Sequence, residues 1–248
     1  MANPIHQFEI TPIVPLEIAG IDISYTNSAL WMTIAVVLST VFLTMAMRQK
    51  AVVPNRMQAF AEMLYGFVAG MIRENIGTKG RQYFPLIFTL FVVVLLGNML
   101  GMLPYSFTYT SHIWVTAALA FFIFLIVMVI GFYKHGFHFF SLFVPPGVPM
   151  WLLPLIIPIE IMSFLIRPVT LSVRLFANMI AGHIMLKVFA GFSVGMFAAG
   201  GYMTLAGIGP MLFNSVLIGF EFLIAFLQAY VFAILSCIYL KDTVEIAH

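Results

Sequence analysis

Six polar residues, Glu160, Ser163, Arg167, Thr170, Arg174 and Asn178, follow one another at spacings of 3, 4, 3, 4 and 4 in an otherwise apolar stretch. Those intervals lay all six along one face of an α-helix. Further on, Asn214, Glu221 and Gln228 recur every seven residues, an interval that drifts only about 20° per step and so makes a second polar stripe. His183 stands nine residues beyond Arg174. That is roughly 180° away in projection, so His183 leaves the first stripe, and the facing Glu221 is the simplest group to bring it back into the same polar space.

A charge at membrane depth costs about 2.5–3.5 kcal/mol on insertion scales, which makes such a residue a functional candidate. The carboxyl of Glu221 and the imidazole of His183 can each take up and release a proton, the property a relay needs. The guanidinium of Arg174 keeps its charge, and the sequence offers no carboxylate three or four residues away. Its partner is either distant Glu221 or a group on another chain. For Ser163, Thr170, Asn178 or Asn214 taken singly, hydrogen bonds that glue helices together are an equally good account.

The surroundings of these residues must be lipid. Of 248 residues, 62% are hydrophobic and 8% charged, against about 45–50% and 25% in an ordinary soluble domain. Soluble enzymes and disordered tails are excluded. A net charge of +2 gives no basic field for nucleic acid, and the single Cys237 removes a disulfide framework or multi-thiolate metal site. A spanning helix needs about 20 apolar residues, which predicts spans over 29–48, 84–104 and 113–134. Two overlong apolar segments follow over 151–190 and 208–240, with Gly191–Gly209 as the natural turn between them. The first is close to 60 Å as a helix, about twice the hydrocarbon thickness, so it is strongly tilted or partly interfacial. Pro154, Pro158 and Pro168 can kink it.

Residues 55–76 mix charges with Met57, Phe60, Met63, Leu64, Phe67 and Met71 at helical spacing, which reads as an amphipathic helix in the membrane interface, the alternative being a re-entrant loop. The expected fold is a single all-α membrane domain over 1–248 with about five crossings and residues 1–28 as an external segment.

Charge sets the orientation. The N-terminal segment has no basic leader and its first apolar run is long enough to span, so no removable signal is expected. Glu9, Glu17 and Asp22 precede the first span, whereas Arg48, Lys50, Arg56, Arg73, Lys79 and Arg81 follow it, which places the N-terminus outside. Alternation then puts Tyr105–His112 and Gly191–Gly209 outside, and Lys134–Gly147 and Lys241–His248 inside.

Other chemistries fail on their parts. The sequence has no H-E-x-x-H helix and no G-x-S-x-G elbow. A bis-histidine haem needs two histidines at membrane depth, but His6, His112, His135, His138 and His248 fall in loops or termini, leaving His183 alone. His135 and His138 read as dipole-stabilising groups at a helix end. The 17 Met and 26 Phe read as packing and lipid contact.

The run Pro168-Val-Thr-Leu-Ser-Val-Arg174-Leu-Phe-Ala-Asn178-Met-Ile-Ala-Gly182-His183 strongly resembles the signature of subunit a of F-type ATP synthases. The likeness extends to Gly97-Asn98-Met-Leu-Gly-Met-Leu-Pro104 and Glu221-Phe-Leu-Ile-Ala-Phe-Leu-Gln228-Ala-Tyr-Val-Phe232. The opening Ala2-Asn-Pro-Ile-His-Gln-Phe-Glu9 is similar to the alphaproteobacterial branch. The better-known enterobacterial pattern has glutamate where His183 stands and histidine where Glu221 stands. The exchange, shared with mitochondrial relatives, keeps one imidazole and one carboxyl at facing positions.

The resemblance implies a proton-channel subunit, not an enzyme by itself, with no cofactor and no metal. Its partners would be a c-ring, peripheral stalk b subunits and the lipid bilayer, with protons as the transported ion and no nucleic acid. The last two tilted helices would pack as a hairpin against the c-ring. It also implies an outer half-channel lined by Asn178, His183, Glu221 and Gln228, an inner one lined by Glu160, Ser163, Arg167 and Thr170, and Arg174 between them. The implied location is the cell inner membrane, or less readily the mitochondrial inner membrane. One charge crossing 100 mV is worth about 2.3 kcal/mol, too little for a phosphoanhydride bond in one step, which suits a rotor that sums several crossings. The competing classes are an alternating-access transporter, for which no internal repeat is found, and a quinone-binding redox subunit.

Overall fold

The computed structural model describes residues 8–15, 17–18, 21–22, 24–48, 53–103, 106–144 and 149–244. His6, Pro104 and His248 lie outside them, as do parts of the external segment and of the 105–112, 134–147 and 241–248 stretches. The chain is an all-α integral membrane protein. Among the described residues five helices are long and apolar enough to cross a membrane: Asn27–Ala46, Thr78–Gly101, Ile113–Phe143, Met150–Ala199 and Tyr202–Thr243.

The segment before the first helix carries two short antiparallel pairs, β1 (Pro12–Val14) with β4 (Tyr25–Thr26) and β2 (Glu17–Ile18) with β3 (Ile21–Asp22). Three- and two-residue strands leave no periodicity long enough to read from sequence. Asn27 ties this segment to α1 (Asn27–Ala46): its Nδ2 donates to the Glu9 carbonyl at 3.0 Å, and its Oδ1 accepts from Ser28 N at 2.9 Å.

Helix α2 (Arg56–Ile76) starts on Asn55, whose side chain accepts from Arg56 N at 2.7 Å, and ends on Gly77, at φ 74°. Its apolar face within the chain is Ala61, Val68, Ile72 and Ile76, together with Met71. Met57, Phe60 and Met63 are exposed. The helix therefore has two apolar faces, one packed and one open, where the spacing had suggested one. Residues 78–83 form a 3₁₀ turn leading into α3 (Phe84–Gly101).

In α4 (Ile113–His135) the buried positions Thr116, Ala120, Ile123, Val127 and Gly131 recur at three and four. Gly136, at φ 53°, then turns the chain into a 3₁₀ segment over 136–143, where the sequence suggested a plain loop. Phe139 is fully buried there, and a Cβ on Gly131 would collide with its ring. In lipid, helix association rests on such close packing rather than on expelling water.

Helix α5 (Leu153–Ala199) runs 47 residues with Pro158 and Pro168 inside it, about 70 Å of rise. It continues past Gly191 and Gly195, so the expected turn over 191–209 is much shorter. The reversal falls on Gly200 and Gly201, at φ 71° and 61°, a left-handed conformation that glycine adopts without strain. After the short α6 (Tyr202–Ala206), α7 (Ile208–Val244) returns, with Phe189 and Phe213 ring centroids 4.8 Å apart between α5 and α7. Small residues Ala225, Ala229, Ala233 and Cys237 make a buried stripe along α7.

The described residues fall into two compact units. One comprises residues 8–41, 93–112 and 175–229, the other 42–92, 113–174 and 230–244. The second unit holds an aromatic core in which Phe139 and Phe164 pack with Phe124, Met128, Leu142 and Phe143.

Gly131→Val is expected to unseat Phe139, at a cost of about 1–3 kcal/mol for overpacking, and to lower the thermal unfolding midpoint of the purified protein. Adding Phe139→Ala should recover part of the loss. An unchanged midpoint in the single variant would contradict this packing.

Candidate proton-exchange site

In the first unit, α5 and α7 bring His183 and Glu221 together with Nδ1 and Oε1 3.5 Å apart. His183 is 8% exposed and Glu221 4%. Gly182 makes the room, since a Cβ there would stand 2.7 Å from the Glu221 Oε1. Neither Glu221 oxygen has a hydrogen-bond partner among the described residues. A buried carboxyl in that condition is costly in a purely structural role.

The other imidazole nitrogen is held by a residue the spacing did not single out. Thr108 Oγ1 lies 2.9 Å from His183 Nε2 and 3.1 Å from the Gly101 carbonyl oxygen, which also accepts from Ser106 Oγ at 2.9 Å. A hydroxyl has one proton to give. When the hydroxyl donates to the Gly101 carbonyl, the Thr108 oxygen accepts from Nε2–H, which leaves Nδ1 facing Glu221. In that arrangement Nε2 carries the imidazole proton and the bare Nδ1 faces the carboxyl.

The glycines of α3 seat Thr108. A Cβ on Gly101 would collide with Thr108, and one on Gly97 with Tyr109, whose hydroxyl donates to the Val93 carbonyl at 3.0 Å. Ser111 Oγ donates to the Thr108 carbonyl at 2.6 Å. Burial raises the Tyr109 phenol above its usual range and lowers the His112 imidazole, which stacks on Phe107. Both side chains of this connecting segment are therefore uncharged near neutral pH. Fully buried Asn98, from the same run, donates Nδ2 to the Ala225 carbonyl at 3.2 Å, one turn beyond Glu221 on α7. Phe8 places its ring 6.3 Å from that of His183.

Of the remaining candidates in this unit, Gln228 is buried and Asn178 exposed. The second unit contains the other part of the stripe. Ser163 and Thr170 are exposed, Glu160 is half-buried, and Thr170 Oγ1 turns back to the Arg167 carbonyl at 2.9 Å. Arg167 is paired: its NH1 donates to Asp242 Oδ2 at 2.7 Å, and its guanidinium lies 5.2 Å from the Tyr239 ring centre and 5.6 Å from that of Phe164. Arg174 is exposed and has no ion-pair partner among the described residues. The stripe keeps its helical face, but most of it points away from the rest of this chain.

A family model for the ATP synthase A chain matches residues 29–241. The chain belongs to the ATP synthase A chain family. Curated relatives agree over nearly full length. The ATP synthase subunit a of Rhodospirillum rubrum is 56% identical over 245 residues, 99% of each chain. That of Rhizobium leguminosarum bv. trifolii is 54% identical, covering 98% of this chain and 97% of the relative. That of Agrobacterium fabrum is 53% identical over the whole of both chains.

In this A chain family member, Thr108 and Asp242 are the partners of candidate residues that spacing missed. Each meets its partner across 75 residues of sequence. The glycines were in view as part of a motif, without the steric reason for them.

Thr108→Val should remove the acceptor for Nε2–H. A hydrogen bond is worth about 1 kcal/mol, so the tautomer ratio of His183 is expected to shift roughly fivefold toward Nδ1–H in the ¹⁵N spectrum of the labelled protein, with Thr108→Ser retaining the original ratio. Identical imidazole shifts in all three proteins would refute the assignment.

Proposed function

We propose that protons cross this chain in two offset steps, through an outer half-channel containing Asn178, His183, Glu221 and Gln228 and an inner one containing Glu160, Ser163, Arg167 and Thr170, with Arg174 between them. As a family member the chain is a proton-translocating stator subunit of an F-type ATP synthase, a channel component rather than a catalytic one. The finer reading rests foremost on the His183–Glu221 pair, an imidazole nitrogen 3.5 Å from a buried carboxyl whose oxygens have no hydrogen-bond partner among the described residues.

A proton from outside reaches Glu221 or His183, passes between them, and is delivered to a carboxyl of the c-ring. Both groups return to their starting state when the proton moves on, so neither is consumed. The four outer residues lie together in one compact unit and the four inner residues in the other, which supports the sorting.

Arg174 holds the step between the halves. Asp242 offsets the charge of Arg167, whereas Arg174 stands exposed without a carboxylate among the described residues. Its partner is then a group on another chain, for which the c-ring carboxylate is the chemical fit. A permanent cation favours that carboxyl in its ionised form, so a loaded site arriving there gives up its proton. The same charge repels protons that would pass straight from one half to the other. The c-ring, the b subunits that brace the chain through α2, an inner-membrane location and an N-terminus outside complete the reading.

Arg174→Ala should abolish proton-driven ATP synthesis in assembled complexes while permitting passive leak. Coupled synthesis at the normal rate would sink the assignment. Glu221→Gln, which removes a titratable group, should slow passive proton flux in membranes stripped of the catalytic head by about 10²-fold or more, and unchanged flux would exclude Glu221 from the path. Purification from membranes should bring down a ring of small two-helix subunits with this chain; its reproducible absence would overturn the reading.

A further inference from the structure

Outside the proton path, the second unit contains a cavity of about 430 Å³ where α2 ends and the next span begins. Arg73, on the last turn of α2, and Arg81, on the 3₁₀ turn, both line it. Gly77 lets the chain reverse between them, and Gly80 holds the 3₁₀ turn against α2, since a Cβ there would stand 2.7 Å from Ile72 and 2.8 Å from Ile76. Two arginines are thus brought to one cavity by backbone packing.

Both arginines are exposed, and two cations on the wall of one cavity favour an anion there. No carboxylate lines the cavity, and neither arginine is in an ion pair among the described residues. The remaining wall is of a different kind. Tyr65 and Phe84 meet with ring centroids 4.5 Å apart, beside Ala69 and Ile72, and Phe84 stacks on Phe88 as α3 enters its apolar run. Thr78 also lines the cavity.

We infer that this cavity binds the phosphodiester headgroup of an anionic phospholipid, with Arg73 and Arg81 on the phosphate and the Tyr65–Phe84 wall against the glycerol and upper acyl chain. Guanidinium forks match phosphate oxygens two by two. A basic pocket at the end of a spanning helix stands at headgroup level, where such lipids are found. A soluble phosphate would need the arginines but not the aromatic wall. The inference depends on the membrane location of the chain and not on the proton path, so proton conduction serves as an independent control.

The test is native mass spectrometry of the assembled, delipidated complex titrated separately with phosphatidylglycerol, phosphatidylcholine and inorganic phosphate. The intact complex should hold one phosphatidylglycerol more tightly than phosphatidylcholine. A basic residue at a lipid surface contributes about fivefold in affinity, so Arg73→Gln with Arg81→Gln should weaken that site roughly 25-fold. Subunit content and passive proton flux should be unchanged. Phe84→Ala should weaken lipid binding while leaving both arginines in place. If the double variant does not assemble, Arg81→Gln alone carries the test, with about a fivefold loss expected. Equal retention of phosphatidylglycerol by intact and variant complexes would overturn the proposal. Inorganic phosphate binding as tightly as the lipid would make it a free-anion site, and loss of a stalk subunit with lipid binding intact would make it a protein contact; either result also overturns it.

Discussion

A carboxyl and an imidazole cannot be placed at membrane depth unless their surroundings are built around them, and much of the first unit answers that requirement. Gly182 gives Glu221 its space, Thr108 holds one imidazole nitrogen, and the Gly101 carbonyl lies within hydrogen-bond distance of the threonine hydroxyl. Gly97 and Gly101 in turn let the connecting segment lie close enough to α3 for Thr108 to reach inward. Asn98 binds the α7 backbone one turn from Glu221. Each of these contacts is short-range, a close backbone approach or a hydrogen bond, because lipid offers no water to make good a missing partner.

The two arginines of the long helix show how context divides chemically identical groups. Arg167 is neutralised by Asp242 and covered by two rings, an arrangement that fixes a charge in place. Arg174 is left exposed on the same polar face, seven residues on. One arginine holds α5 to α7 within the second unit, and the other is available to something outside the chain. Sequence spacing gives both the same standing.

Much of the architecture was legible because the membrane imposes it. Apolar runs of the required length marked the spans, and the excess length of the last two segments marked helices too long to cross upright. The structure departs from the sequence pattern only locally. Helix α5 runs beyond Gly191 because a glycine inside a helix only weakens it, whereas two consecutive glycines at positive φ end it. The short strand pairs are too brief to show a period, and helical spacing in α2 implies one apolar face where packing makes two.

The sequence by itself determined the medium, the number of apolar crossings and the polar residues that lipid tolerates, since composition and helical period are properties of the linear chain. It also marked His183 and Glu221 as candidates for one polar space. Only the tertiary structure decided that Thr108 orients the imidazole, that Asp242 claims Arg167, and that Arg73 and Arg81 share a cavity. The first two join residues 75 apart in the chain. The third depends on a glycine turn and on the close approach of Gly80 to α2. Contacts of that kind follow from how backbones pack, which no spacing along one helix encodes.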